Sequence, residues 1–111
     1  MQELKDKVVI VTGASEGIGR ALVKALAPIG CKLVLTARNQ QRLDSLAQAI
    51  SSNSSHQPLV FAADITDPLA CQALISATVE HFGQLDILIN NAGMTMWSRF
   101  DELHDLSILN K

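Results

Sequence analysis

The segment Val11-Thr12-Gly13-Ala14-Ser15-Glu16-Gly17-Ile18-Gly19-Arg20 constrains the fold more than any other stretch of the chain. The β-branched run from Lys7 to Val11 leads into it, and Ile18, Ala21, Leu22, Ala25 and Leu26 follow with helical spacing. A strand that passes through closely spaced glycines into a helix aims backbone N–H groups and a helix N-terminus at one point, an arrangement that receives a phosphate. Gly13 permits a tight turn out of the strand, Gly17 lets the backbone approach a pyrophosphate, and Gly19 lets the helix pack close to the sheet.

The rest of the chain repeats the alternation. Pro28 and Gly30 end the first helix, and Lys32 to Thr36 reads as a second strand. Asn39 is placed to cap a second helix with Leu43, Leu46, Ala47 and Ile50 on one face. After the polar loop Ser51 to Gln57, Pro58 to Ala63 gives a third strand. Asp67-Pro68 is an N-cap and first-turn pair opening a third helix that ends near Gly83. Leu85 to Asn90 is a fourth strand, followed by a loop from Asn91 to Phe100. With right-handed crossovers, these elements make an α/β fold, a Rossmann-like doubly wound parallel sheet with strand order 3-2-1-4, as one domain over residues 1-111.

Composition narrows the function classes. A net charge of −2 leaves no electrostatic footprint for nucleic acid, and an aromatic content of 4% offers few rings for base stacking. Cys31 and Cys71 stand apart from each other and from clustered histidines, so they read as small buried side chains rather than a disulfide framework or a metal site. The polar start, Met1 to Asp6, and the lack of any apolar run of membrane-spanning length predict no membrane segment and a cytoplasmic location.

The glycine spacing is Gly-x-x-x-Gly-x-Gly after Thr12, and Leu88-Ile89-Asn90-Asn91-Ala92-Gly93 and Asp64-Ile65-Thr66 follow the fourth and third strands. With these three motifs in this order, the chain resembles the N-terminal, cofactor-binding half of the short-chain dehydrogenase/reductase family. The resemblance runs from Lys7 to the end and implies roles for single residues. Gly13, Ser15, Ile18 and Gly19 border the pyrophosphate and adjacent ribose. Asp64 bonds the adenine amino group with Ile65 beside it. Asn91, Ala92 and Gly93 line the ribose nearest the nicotinamide, while Asn90 or Asn91 also bridges strands.

Cofactor choice turns on the end of the second strand, where a carboxylate would grip a ribose 2′-hydroxyl. Ala37 stands there with Arg38 next. Alanine removes a charge that would repel a 2′-phosphate, and arginine supplies a fork that binds one. The expectation is NADP(H) over NAD(H). Glu16 in the glycine turn opposes it, and Arg20, one helical turn on, is the expected partner that mutes Glu16. The other reading of Arg38 is a solvated surface charge.

The family's proton chemistry uses a Tyr-x-x-x-Lys pair with a serine and an asparagine; the lysine lowers the phenol pKa so that it exchanges a proton with the carbonyl. The chain contains no tyrosine. We assign no catalytic residue, and the expectation is that the catalytic half lies outside this sequence. His56, His81 and His104 form no nucleophile–base–acid set. Met94, Met96, Trp97 and Phe100 form an apolar loop that either approaches a substrate or packs internally.

The resemblance implies an oxidoreductase that reduces carbonyls or oxidises alcohols on a small-molecule substrate, complete as a homo-oligomer. Two other readings stand beside it. One is a non-catalytic nucleotide-binding or interaction module. The other is a fragment whose fourth strand, Ile87-Leu88-Ile89, presents a bare edge for want of a fifth.

Overall fold

The computed structural model describes residues 2–91 and the backbone of residues 96–99. The elements alternate as the sequence pattern requires: β1 (Val8–Thr12), α1 (Gly17–Leu26), β2 (Lys32–Ala37), α2 (Gln40–Ile50), β3 (Leu59–Ala62), α3 (Pro68–Phe82), β4 (Ile87–Asn90) and β5 (Met96–Arg99). Short 3-10 turns at Gln2–Leu4 and Ala27–Ile29 flank β1 and close α1. Pro28 sits inside the second of these turns, and Gly30 follows it in the left-handed region at φ 98°. Pro28 thus tightens the chain into 3-10 geometry rather than stopping it outright.

The sheet order is β3-β2-β1-β4-β5. β1 pairs parallel with β2 and β4, and β2 pairs parallel with β3. This is the expected 3-2-1-4 arrangement of a Rossmann-like sheet, extended by one strand. β5 lies antiparallel on β4, with Ile89 opposite Trp97 and Asn90 opposite Met96. Two expectations are corrected here. The stretch after Asn91 contains a strand rather than only loop, and the edge of β4 is not bare. A row of unpaired N–H and C=O groups on an apolar strand is satisfied most cheaply by the nearest extended segment, and that segment follows within six residues of Asn90.

Alternation along β1 divides the core. Val9 and Val11 face a cluster with Val23, Leu26, Leu33, Leu35, Leu43 and Leu46, which takes in α1 and α2. Val8 and Ile10 face the opposite cluster with Val34, Leu74, Ile75 and Leu88, which takes in α3. Every residue of β1 is buried, as a strand covered by helices on both faces must be. Having α1 and α2 on one face and α3 on the other puts the reversal of chain winding between β1 and β4. In open α/β sheets, that switch point opens a crevice at the carboxyl ends of the strands.

Both helix caps expected from sequence are formed. The Asn39 carboxamide oxygen accepts from the Arg42 N–H at 3.0 Å, and the Asp67 carboxylate accepts from the Leu69 N–H at 3.0 Å. Cys31 and Cys71 are free and buried. No helix among the described residues is long and apolar enough to cross a membrane.

Candidate functional site: a cleft at the switch point

A cleft of about 630 Å³ opens above the carboxyl ends of β1, β2 and β3. The glycine turn supplies Gly13, Ser15, Glu16, Gly17 and Ile18; the end of β2 and start of α2 supply Thr36, Ala37, Arg38, Asn39 and Arg42. The segment after β3 supplies Ala63, Asp64, Ile65 and Thr66, and Asn91 closes the β4 side. Residues from four separate stretches of sequence therefore meet around one space.

The glycine turn has the backbone that a phosphate cradle needs. Gly13 and Gly17 both lie at φ +60°, where side chains other than glycine are strained. A Cβ at Gly17 would meet nothing within 4 Å, so its face is open to the cleft. Gly19 lies behind the turn: a Cβ there would overlap the Gly13 carbonyl oxygen and press on Asn91 Nδ2 at 3.0 Å. It works by letting α1 seat against the turn, as its sequence spacing implied. Glu16 is the N-cap residue of α1, yet its side chain makes no capping hydrogen bond. The first-turn N–H groups of α1 are thus left uncapped by that carboxylate, and the positive end of the helix dipole adds to their pull on an anion. Ile18 is 68% exposed at this turn, an apolar surface beside the polar cradle.

The partner of Glu16 differs from the expected one. Its Oε2 accepts a hydrogen bond from Arg42 Nη1 at 3.0 Å, an ion pair that joins the glycine turn to α2. The Glu16 carbonyl does accept the first helical bond, from the Arg20 N–H at 3.4 Å, but Glu16 is the N-cap residue and its backbone is extended at φ −157° and ψ 167°, so its side chain does not take the direction that an i,i+4 side-chain pair with Arg20 needs. Arg42 is also the charged cleft residue that the sequence pattern does not mark, and Thr36 and Ala63 line the cleft unmarked beside it. The sequence marks Asn39 as the cap of α2, but nothing in the helical pattern distinguishes Arg42 from a solvated charge.

Asp64 is exposed, and its Oδ1 accepts from both the Thr66 N–H at 3.0 Å and the Thr66 hydroxyl at 2.6 Å. These two bonds, together with the nearby Arg38 charge, hold its carboxyl below the ordinary value of 3.8. It presents a carboxylate to the cleft.

At the far side, the Thr12 hydroxyl lies 3.1 Å from Asn90 Oδ1 and accepts from the Asn91 N–H at 2.7 Å. Both asparagines are therefore held at the β1–β4 junction, which is the bridging role anticipated for one or the other. Ala92 and Gly93 lie outside the described residues, as do Met94, Phe100, His104 and the side chains of Met96 and Trp97. His56 is committed to Asp6 at 2.8 Å, and His81 packs edge-on against Phe82; neither lines the cleft.

Residues 7–110 match the family model for short chain dehydrogenases. The chain belongs to that family. Among its relatives, 11-beta-hydroxysteroid dehydrogenase 1A of Arabidopsis thaliana is 41% identical over 106 residues, which are 96% of this chain and 30% of that protein. Among solved structures, L-sorbose reductase from Gluconobacter frateurii, complexed with NADPH and L-sorbose, superposes with a TM-score of 0.77 at 35% identity, covering 82% of this chain and 35% of the reductase. An NADH-dependent reductase, A1-R′, complexed with NAD, gives 0.72 at 36% identity, covering 80% of this chain and 37% of its own. The chain thus spans about a third of these relatives' length. Membership makes it a nucleotide-binding, Rossmann-fold member of an oxidoreductase family.

Proposed function

We propose that this chain forms the cofactor-binding part of an NADP(H)-dependent oxidoreductase that reduces carbonyls or oxidises alcohols. The observation that carries the reading is Ala37-Arg38 at the end of β2, on the wall of the same cleft as the glycine turn. The donor set suits a phosphorylated dinucleotide: uncapped N–H groups at the first turn of α1, two glycines at φ +60° and an arginine beside a residue with no carboxylate.

In this reading, Gly13, Ser15, Gly17 and Ile18 receive the pyrophosphate and adjacent ribose, and Gly19 allows the turn to form. Arg38 receives the 2′-phosphate. Asp64 accepts from the adenine amino group, with Ile65 against the ring; both Thr66 bonds end on Oδ1, which leaves Oδ2 for that contact. Asn91, held by Thr12, borders the nicotinamide ribose, with Ala92 and Gly93 after it. A bound nicotinamide would give the hydride in carbonyl reduction and take it in alcohol oxidation. The described residues bind and orient; the proton is handled elsewhere in the enzyme.

The test is a fluorescence titration of the chain with NADPH and NADH. A charge-assisted contact to the 2′-phosphate favours NADPH by roughly tenfold or more. Arg38→Ala removes that preference and leaves NADH affinity nearly unchanged. Equal affinities for both cofactors in the parent chain would overturn the NADP(H) assignment.

A further inference from the structure

Among the described residues, the charged ones lining the cleft are Glu16, Arg38, Arg42 and Asp64, two of each sign. Asp64 is turned onto Thr66. Glu16 is the group that opposes an anionic ligand: its backbone belongs to the glycine turn, but its carboxylate is not drawn back onto the helix N-terminus as a cap and lies instead against the first turn of α2, on the Arg38 side of the cleft. Arg42 reaches it from 26 residues along the chain. The backbone of Arg42 is itself fixed, because its N–H is bound by the Asn39 side chain that starts α2. One residue thus has its main chain set by the cap beside Arg38 and its guanidinium set on the carboxylate that opposes a phosphate.

We propose that Arg42 is a specificity-determining positioning residue that acts through Glu16: the Arg42–Glu16 pair masks the carboxylate and so lets the Arg38 side of the cleft accept a 2′-phosphate. The inference rests on the cofactor reading above. It assigns the tolerance of an acidic glycine turn to a residue on another helix. Both side chains are well exposed, 58% for Arg42 and 75% for Glu16, so the pair adds little to folding stability. Its effect falls on charge. An unmasked carboxylate acting through water on a doubly charged phosphate several ångströms away weakens binding by about tenfold.

The experiment uses two probes that occupy only the adenosine part of the cleft, 2′,5′-ADP and 5′-AMP, titrated into the 111-residue chain by calorimetry. The parent prefers 2′,5′-ADP, and Arg38→Ala abolishes the preference. Arg42→Gln lowers 2′,5′-ADP affinity by roughly tenfold and shifts 5′-AMP by less than about threefold. The double variant Glu16→Gln/Arg42→Gln returns to near the parent preference, because no carboxylate remains to be masked. Arg42→Lys keeps most of it, since charge rather than fork geometry does the masking. Glu16→Gln alone maintains or raises the preference, and this arm stands independently of how Arg42→Gln folds. A parent chain without preference for 2′,5′-ADP overturns the cofactor reading itself. A parent with that preference overturns this inference alone if Arg42→Gln retains it, if the double variant fails to regain it, or if Glu16→Gln loses it.

Discussion

The Thr12 hydroxyl accepts a hydrogen bond from the Asn91 N–H at 2.7 Å, tying the last residue of β1 to the first residue beyond β4. The two are 79 residues apart in sequence and adjacent in the sheet. The same hydroxyl approaches the Ile89 carbonyl oxygen at 3.3 Å. Thr12 is 2% exposed, so these bonds form away from solvent. The junction is where the chain reverses its winding, and it sets the wall of the cleft opposite Arg38.

Replacing Thr12 by valine keeps the shape and removes the bonds. The Asn91 N–H then loses its partner in a partly buried site, which costs about 1–3 kcal/mol. Thermal unfolding of Thr12→Val should fall by roughly 4–8 °C for each kcal/mol lost. Thr12→Ser retains the hydroxyl and should stay closer to the parent. A valine variant as stable as the parent would show that the hydroxyl does not hold this junction.

Two glycines, one in the glycine turn and one outside the cleft, should separate binding from stability. Gly19→Val places a branched side chain where even a Cβ overlaps the Gly13 carbonyl oxygen. The turn must open, and NADPH binding should be lost. Gly30→Ala lies outside the cleft, at φ +98°, with Lys5 Cγ 3.3 Å from the added Cβ. It should cost roughly 1 kcal/mol of stability through backbone strain and leave cofactor affinity unchanged. Paired titrations and melts of the two variants check this; tight NADPH binding by Gly19→Val would remove the glycine turn from the site.

Much of this architecture is legible in the sequence because each element carries its own punctuation. Asn39 and Asp67-Pro68 cap helices by local hydrogen bonding, and Gly30 and Gly83 end segments in the left-handed region; such signals depend on neighbours in sequence. The Arg42–Glu16 pair was not legible, because its partners lie on different elements and Glu16 has the extended backbone of a cap rather than a helical one. Helical spacing pointed to Arg20, and tertiary placement chose Arg42. β5 was missed for a related reason. Met96-Trp97-Ser98-Arg99 has no clean alternation, and the reason for it to be extended is the open edge of β4 beside it.

Asp64 should titrate below its ordinary value of 3.8, since the Thr66 hydroxyl and N–H both bind its ionised form, with Arg38 assisting. A depressed folded-state pKa means that the carboxylate's contribution to stability is present above 3.8 and is lost as pH falls through the lower folded value. Thr66→Val removes the hydroxyl donor, and the midpoint should rise toward 3.8. A carboxyl-detected NMR titration of parent and variant reads both midpoints. An unmoved midpoint in Thr66→Val would mean that the hydroxyl bond is not what holds the carboxylate.

The chain's inventory of proton donors sets the final expectation. The family chemistry implied by the motifs passes the proton through a phenol, and the chain holds no tyrosine. His56 is engaged with Asp6, His81 packs against Phe82 in the last turn of α3, and neither lines the cleft. A positioned proton donor contributes about 10²–10⁴-fold to rate, and hydride transfer further needs a substrate held in line with the nicotinamide. In the reading proposed above, the cleft residues address the nucleotide, and none of the described residues takes on that second task. The 111-residue chain should therefore bind NADPH without consuming it in the presence of ketones or aldehydes, whereas an enzyme carrying this chain together with a Tyr-x-x-x-Lys segment should turn over. The absorbance of NADPH followed across a panel of carbonyls, beside fluorescence titration of the same preparation, separates binding from turnover. Carbonyl-dependent oxidation by the chain alone would require another proton donor and would place His104 first among the groups to replace.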